Sequence, residues 1–371
     1  MSIVKITTVV GARPQFIKAA AVSRAIADHL NQTSGEPVLC ERIVHTGQHY
    51  DPGMSQVFFD ELRIPPPAVN LEVGSGSHGH QTGRMLERLE EDLLAARPDW
   101  VLIYGDTNST LAGALASAKL HIPVAHVEAG LRSYNRRMPE EINRVLADAV
   151  STLLLCPTAA AVANLAKEGI REGVHKVGDV MYDSVLFHAS QAKRQSDVVA
   201  RLGLKPKSFY LATVHRAENT DDPARLAAIL AALARLKMPV VIPMHPRTRK
   251  TLGAEAPRVG GKIRVIDPVP YLDMLALERG ARIILTDSGG VQKEAYWFGV
   301  PCVTLRQETE WVELVEAGCN RVVGADPQAI GRAVSEFEAA GASLPPDRPA
   351  DLYGDGHSAE KIVALLRGVR P

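Results

Sequence analysis

The residues with chemistry to offer stand just after short apolar, β-branched runs. Gly11-Ala12-Arg13, with Lys18 a turn further on, follows residues 4–10, and Gly105-Asp106-Thr107-Asn108 follows residues 101–104. Glu128-Ala129-Gly130-Leu131-Arg132 follows residues 124–127, and His215-Arg216-Ala217-Glu218-Asn219 follows residues 210–214. His245-Pro246-Arg247 and Asp287-Ser288-Gly289-Gly290 close two further runs. One set is carboxylate. Asp106, Glu128 and the Pro139-Glu140-Glu141 segment all lie in the first half, and buried carboxylates brought together have their pKa values pushed apart, leaving one acid and one base. The other set suits an anion. Arg13 beside a glycine at a strand-to-helix turn is placed to grip one. Asp287-Ser288-Gly289-Gly290 opens a helix and reads equally as a phosphate seat on helix N–H groups or as a plain N-cap with a tight turn. Asp106 reads evenly as an acid/base group or as the cap of a helix starting near Ser109. Arg144, one turn after Glu140, either acts on it or forms a surface pair worth a few tenths of a kcal/mol.

Several chemistries are excluded. His78 and His80 have no third ligand at a usual spacing, so no metal site is expected. Neither G-x-G-x-x-G at a strand–helix turn nor G-x-x-x-x-G-K-[ST] is present, which argues against a nicotinamide cofactor and against triphosphate hydrolysis; no cofactor is expected. With 42 Lys+Arg against 42 Asp+Glu, no broad basic face is available for a nucleic acid. Cys40, Cys156, Cys302 and Cys319 form no C-x-x-C pair and read as buried free thiols of a reducing compartment. The first residues enter a strand-like run without a basic, then apolar, leader, so no signal peptide is expected. No apolar run approaches the roughly 18 residues of a membrane span. A soluble, cytoplasmic protein is the expectation.

The elements that must position these residues follow a βαβ rhythm. Strands are predicted at residues 4–10, 42–45, 101–104, 124–127 and 153–156, with helices at 13–30, 54–62, 82–96, 109–121 and 140–149. After a looser stretch, residues 178–208, strands return at 210–214, 240–244, 263–266, 283–286 and 301–304, with helices at 223–236, 271–278, 290–298 and 359–367. At 371 residues the chain exceeds a usual single core. Two doubly wound α/β units are expected, with ligands at the carboxyl ends of the strands and a site in the cleft between units.

Taken together, the motifs resemble those of the non-hydrolysing UDP-N-acetylglucosamine 2-epimerases. The matching segments are Gly11-Ala12-Arg13-Pro14 with Ile17-Lys18, Gly105-Asp106-Thr107, His126-Val127-Glu128-Ala129-Gly130-Leu131-Arg132, and Pro139-Glu140-Glu141 with Asn143-Arg144. Later come His215-Arg216, His245-Pro246, Asp287-Ser288-Gly289-Gly290 with Gln292 and Glu294, and Tyr353-Gly354-Asp355-Gly356. They keep the family's order and span nearly the whole chain.

The resemblance implies two Rossmann-like domains of the glycosyltransferase-B type, residues 1–175 and 176–357, with a last helix at 358–371 crossing back onto the first, an interdomain active-site cleft, and a homodimer. It implies reversible inversion of C2 of a UDP-2-acetamido sugar, through elimination of UDP to a 2-acetamidoglucal and re-addition, in the supply of polysaccharide precursors. Carried onto this chain, Asp106, Glu128 and Glu140 become the acid/base carboxylates. Arg13, Lys18, His215, Ser288 and Gly289 hold the diphosphate, joined by His245 and Gly290. Glu294 grips the ribose, Tyr271 lies by the uracil, and Arg144 orients Glu140 or the sugar.

The chain also departs from the family pattern. The usual Gln-Glu-Glu reads Gln292-Lys293-Glu294, and the usual Thr-Glu-Arg-Pro-Glu reads Thr309-Glu310-Trp311-Val312-Glu313. Gln48-His49-Tyr50-Asp51 differs from the segment tied to a second, activating UDP-sugar, so hyperbolic kinetics without an activator are expected. These changes resemble a branch acting on UDP-2,3-diacetamido-2,3-dideoxyglucuronate, for whose C6 carboxylate Arg132, Arg136, Arg137 and Arg216 are the candidate cations. A UDP-sugar glycosyltransferase is the alternative class, since it shares the fold without needing three carboxylates.

Overall fold

The computed structural model describes residues 3–30, 37–48, 59, 61–244, 248–249 and 262–368. The chain divides into two compact units, Met1–Leu186 with Asp351–Pro371, and Phe187–Ala350. His245, and His49, Tyr50 and Asp51 of the activator segment, lie outside the described residues, as does most of the helix expected at 54–62.

The first unit is built on β1 (Ile3–Val10), β2 (Val38–His45), β3 (Val69–Asn70), β4 (Trp100–Tyr104), β5 (Val124–Val127), β6 (Leu153–Cys156) and β7 (Val174–Lys176). They form one parallel sheet in the order β3-β2-β1-β4-β5-β6-β7. Its helices are α1 (Arg13–Leu30), α2 (His78–Ala96), α3 (Asn108–Lys119), α4 (Pro139–Val150) and α5 (Ala159–Lys167). Val9, Val101, Ile103 and Val124 pack on Met85, Leu89 and Leu93 of α2 and Ala112 and Ala116 of α3. Order reverses between β1 and β4, which brings the loops after those strands together and opens the crevice where such sheets take ligands. Gly11 sits at that reversal, where a β-carbon would overlap Thr46 Oγ1 and Ser109 Oγ.

The second unit repeats the plan. β8 (Tyr210–Thr213), β9 (Val240–Pro243), β10 (Ile263–Ile266), β11 (Ile284–Thr286), β12 (Cys302–Thr304) and β13 (Asn320–Val322) pair in the order β10-β9-β8-β11-β12-β13, again all parallel. The strand alternation splits the core: Tyr210 and Ala212 face Leu226, Ile229 and Phe337, whereas Phe209 and Leu211 face Met274, Leu277 and Ala295. The order of strands reverses between β8 and β11, the two that carry His215 and Ser288.

The stretch at 178–208 is not loose. It holds α6 (Val180–Gln195) and α7 (Val198–Arg201). The apolar period of α6 is obscured because Asp183, Ser184 and His188 join Val180, Met181 and Val185 among its buried residues. α8 (Ala217–Thr220), α9 (Pro223–Ala234), α10 (Tyr271–Gly280), α11 (Gly289–Trp297), α12 (Val312–Glu316) and α13 (Pro327–Ala339) complete the second unit. The sequence reading had no helix at α5, α8, α12 or α13 and no strand at β3, β7 or β13, all but α13 being short.

The last helix, α14 (Ser358–Gly368), packs on α1. Asp183 accepts from its Ala359 N–H at 2.7 Å. The motifs at Gly178 and Gly354 are explained here: the chain crosses itself, with Asp179 N–H donating to Tyr353 O at 2.9 Å, and a β-carbon on Gly178 would lie 2.5 Å from Ser358 Oγ. Those segments build the fold of the first unit.

All four cysteines are free. Burial pushes the Cys156 and Cys302 thiols up to about 12. Cys40 corrects the sequence reading: it is exposed, on the early half of β2 where that strand still meets solvent. Among the described residues no helix is long and apolar enough to cross a membrane, and no group of His, Cys, Asp or Glu is arranged to hold a metal.

Candidate active site

In the first unit the carboxylates converge because β4 and β5 are neighbours in register, with Tyr104 opposite Val127. Asp106 lies two residues past one strand end and Glu128 one past the other. Lys18, on α1, reaches across and places Nζ 2.6 Å from Glu128 Oε2, with both side chains nearly excluded from water. The cation expected to hold a diphosphate is thus paired with a candidate acid/base group. Gly105 makes room for it, since a β-carbon there would come 3.1 Å from Lys18 Nζ. Glu128 itself has φ of +72°, a left-handed backbone that costs a non-glycine residue about 1 kcal/mol.

Helix α4 supplies the remaining groups with its charged face turned inward. Glu141, Asn143, Arg144, Ala147 and Asp148 are buried, while Ile142 and Leu146 are exposed. Arg144 Nη2 is paired with Asp106 Oδ2, and Nη1 lies 3.0 Å from Glu141 Oε2. Of the two roles the resemblance gives Arg144, orienting Glu140 or the sugar, the first has no contact among the described residues: the guanidinium is paired with Asp106 and Glu141 instead. Glu141 is saturated: it accepts from Ser133 N–H at 2.9 Å, Ser133 Oγ at 3.0 Å and Tyr134 N–H at 2.9 Å. Glu140 is half-buried and makes no side-chain hydrogen bond or ion pair among the described residues. Of the pair, Glu140 is therefore the acid/base candidate. Asp106 does not cap α3. Thr107 does, in a capping box with Thr110, and Asn143 Nδ2 donates to Asp106 O at 2.9 Å.

Two further sets of residues were not anticipated. Gln15 occupies the turn after β1, where Oε1 accepts from Gly11 N–H at 2.8 Å and Ala12 N–H at 3.1 Å. Those two amides are thereby taken by the protein itself, leaving Arg13, half-buried at the start of α1, as the anion-gripping candidate of that turn. Behind the carboxylates, Asp148 accepts from His126, Gly130 and Arg132. Burial acts to raise the Asp148 carboxyl, but His126 and Arg132 outweigh it and hold it below the ordinary aspartate value. Arg132 is also bidentate to Glu168, at 2.7 Å to each oxygen. It is buried and fully engaged, which removes it from the cations available to a substrate carboxylate. The spacing of Glu141, Arg144 and Asp148 at i, i+3, i+7 marks one helical face and is the signal that reveals this set.

In the second unit Asp287 shapes the loop after β8. Its carboxylate accepts from His215 N–H at 3.0 Å, Arg216 N–H at 3.0 Å and Asn219 Nδ2 at 3.0 Å. His215 Nδ1 stands 3.4 Å from Asp287 Oδ1. Ser288 occupies the N-cap position of α11 but does not cap it with its side chain, and its hydroxyl has no partner among the described residues. Gly289 and Gly290 follow. A β-carbon on Gly289 would approach Glu310 Oε1 to 2.9 Å and Trp311 Nε1 to 3.4 Å. The turn therefore stays glycine where α11 begins, and the first N–H groups of a helix favour an anion. Tyr271 and Glu294, both buried, meet at 3.3 Å between the phenol and Oε1. His188, which the sequence reading overlooked, lies edge-on to Tyr271 at 5.7 Å.

Two of the departures from the family pattern pack together. Lys293 Nζ stands 3.9 Å from the centroid of the Trp311 ring, with both residues buried. The arginine missing at Trp311 is answered by a lysine beneath its indole.

Candidate acid/base carboxylates thus stand at the strand ends of one α/β unit, and a candidate helix-terminus anion seat lies in the other. A family model described as UDP-N-acetylglucosamine 2-epimerase matches residues 31–367. A UDP-N-acetylglucosamine 2-epimerase homolog of Methanococcus maripaludis is 51% identical over 98% of this chain and 100% of its own. The UDP-2,3-diacetamido-2,3-dideoxy-D-glucuronate 2-epimerase of Pseudomonas aeruginosa is 50% identical over 98% and 99%. The crystal structure of Methanocaldococcus jannaschii UDP-GlcNAc 2-epimerase in complex with UDP-GlcNAc and UDP matches with a TM-score of 0.89 at 42% identity, over 98% of this chain and 100% of that one. The chain belongs to the UDP-N-acetylglucosamine 2-epimerase family, and it is an isomerase.

Proposed function

We propose that the protein reversibly inverts C2 of a UDP-2-acetamido sugar, of the UDP-N-acetylglucosamine to UDP-N-acetylmannosamine kind. The observation that carries this reading is the triad of candidate carboxylates: Glu128 against Lys18, Asp106 against Arg144, and Glu140, without an ion-pair partner among the described residues, at the start of α4. One carboxylate takes the C2 proton while the C1–O bond breaks. The electron pair forms the C1=C2 double bond, and UDP departs with the bonding pair from C1. Re-addition delivers a proton from a second acid to the opposite face and returns UDP to C1. The C2 proton is not acidic, so a positioned base is needed, and the leaving diphosphate needs its charge met. Arg13, His215, His245 and the Ser288–Gly289–Gly290 turn are assigned to that charge, and Tyr271 and Glu294 to the nucleoside.

The test is to incubate enzyme with UDP-N-acetylglucosamine in heavy water. Deuterium is expected at C2 with no acceptor present. Sugar transfer to an acceptor without exchange would mark a glycosyltransferase instead. Glu294→Ala and Ser288→Ala are expected to weaken UDP by about 1–3 kcal/mol, the range for a lost buried or charge-assisted hydrogen bond. Calorimetry giving unchanged affinity in both would put the nucleotide elsewhere.

A second reading, the same chemistry on UDP-2,3-diacetamido-2,3-dideoxyglucuronate, is favoured by similarity. Identity is 50% to the Pseudomonas aeruginosa enzyme against 42% to the Methanocaldococcus jannaschii UDP-N-acetylglucosamine 2-epimerase. With Arg132 engaged, the C6 carboxylate falls to Arg136, Arg137 or Arg216. A kcat/KM advantage of at least about tenfold, about 1.4 kcal/mol, for one substrate decides between them. A homodimer belongs to the same proposal, and a cytoplasmic location fits a soluble nucleotide-sugar substrate.

A further inference from the structure

We propose that Asp148, acting through His126 and Arg132, is the positioning residue that fixes the separation of Asp106 and Glu128; the inference rests on the acid–base reading above. Asp148 is buried on the inward face of α4. Its Oδ1 is 2.7 Å from His126 Nδ1, and the other ring nitrogen, Nε2, is 2.7 Å from Gly105 O. Its Oδ2 accepts from Gly130 N–H at 3.1 Å and from Arg132 Nη1 at 2.7 Å. One uninterrupted run of hydrogen bonds therefore joins the residue before Asp106 to the residue two after Glu128. Both loops need the tether. Gly105, Glu128 and Gly130 all have positive φ, at +62°, +72° and +81°, and a left-handed glutamate persists only where its surroundings over-determine it. Gly130 is further pinned, because a β-carbon there would lie 2.5 Å from Ala161 O.

Each nitrogen of His126 faces an oxygen, Asp148 Oδ1 on one side and Gly105 O on the other, so the ring bridges them, and a fully satisfied buried network of this kind is rigid. Proton removal from one face of C2 and delivery to the other requires two carboxylates held to a fraction of an ångström. A 1 Å displacement is worth about 100-fold in rate.

The experiment compares Asp148→Asn, which keeps shape and loses charge, with His126→Gln, which tests the same tether should the first variant fail to fold. Folded, UDP-binding sites are counted by titration with UDP, and turnover of UDP-N-acetylglucosamine is expressed per site. Both variants are expected to lose about 30- to 100-fold in kcat, with KM and UDP affinity within about threefold of wild type. Asp148→Asn added to Glu128→Gln is expected to cost little beyond Glu128→Gln alone, because the separation that Asp148 sets has no effect once Glu128 cannot exchange a proton. Wild-type kcat per UDP-binding site, or independent multiplicative losses in the double variant, would overturn the positioning role. The two levels of inference separate cleanly. If wild-type protein places no deuterium at C2, the proposed function fails; if it does and the variants turn over normally, only the role of Asp148 fails.

Discussion

Asp106→Asn, Glu128→Gln and Glu140→Gln are each expected to lower kcat by at least about 100-fold, the lower end for loss of a general acid or base, while UDP binds as before. The three replacements are close to isosteric, so what they remove is the capacity to exchange a proton. They are also held differently. Asp106 is paired with Arg144 and Glu128 with Lys18, whereas Glu140 has no such partner among the described residues. Rapid-quench or NMR assays that follow C2 deuterium and net epimerisation separately should sort them. A base needed for the forward direction loses exchange from one epimer first. Turnover near the wild-type rate in all three variants would remove the acid–base assignment. Preserved turnover in Glu140→Gln alone would return that role to the paired carboxylates.

The second large effect is expected from Lys18→Met. The substitution keeps the aliphatic stem and deletes the ammonium 2.6 Å from Glu128 Oε2. Both partners are largely withdrawn from water, so one-sided loss of the pair should cost about 3–5 kcal/mol of stability. Lys18→Met/Glu128→Gln, which makes both sides neutral, should regain most of that loss yet stay inactive. Chemical denaturation of the two singles and the double forms a closed cycle that isolates the pair. A Lys18→Met protein with wild-type stability and lost UDP affinity would instead return Lys18 to the diphosphate, the role that the family resemblance gave it.

Much of the candidate set was legible from residue type and place alone. Asp106 and Glu128 stand past strand ends, and their neighbouring strands follow from the βαβ rhythm. Residue type and place left Glu140 and Glu141 equivalent; the family resemblance chose Glu140, and the structure adds that the Ser133 and Tyr134 amides fill Glu141. Lys18 looked like an anion ligand because its position one turn into α1 says nothing about which strand end it faces. Arg132 looked free for a substrate carboxylate, yet Asp148 and Glu168, 16 and 36 residues away, consume it.

What the sequence determined is what local physics controls: apolar runs of strand and helix period, glycines where backbone turns left-handed or approaches closely, and polar residues placed at strand ends. From these came the two α/β units and the candidate carboxylates at their strand ends; the family and its nucleotide-sugar chemistry came from the resemblance of the motifs. The tertiary structure alone decided partnership. Whether a buried charge meets water, substrate or an opposite charge depends on contacts between residues far apart in the chain, and in an apolar interior an ionised group must find such a partner to remain charged. Lys18 on Glu128, Arg144 on Asp106, and Asp148 between His126 and Arg132 are the outcome of that requirement. No periodicity in the chain encodes them.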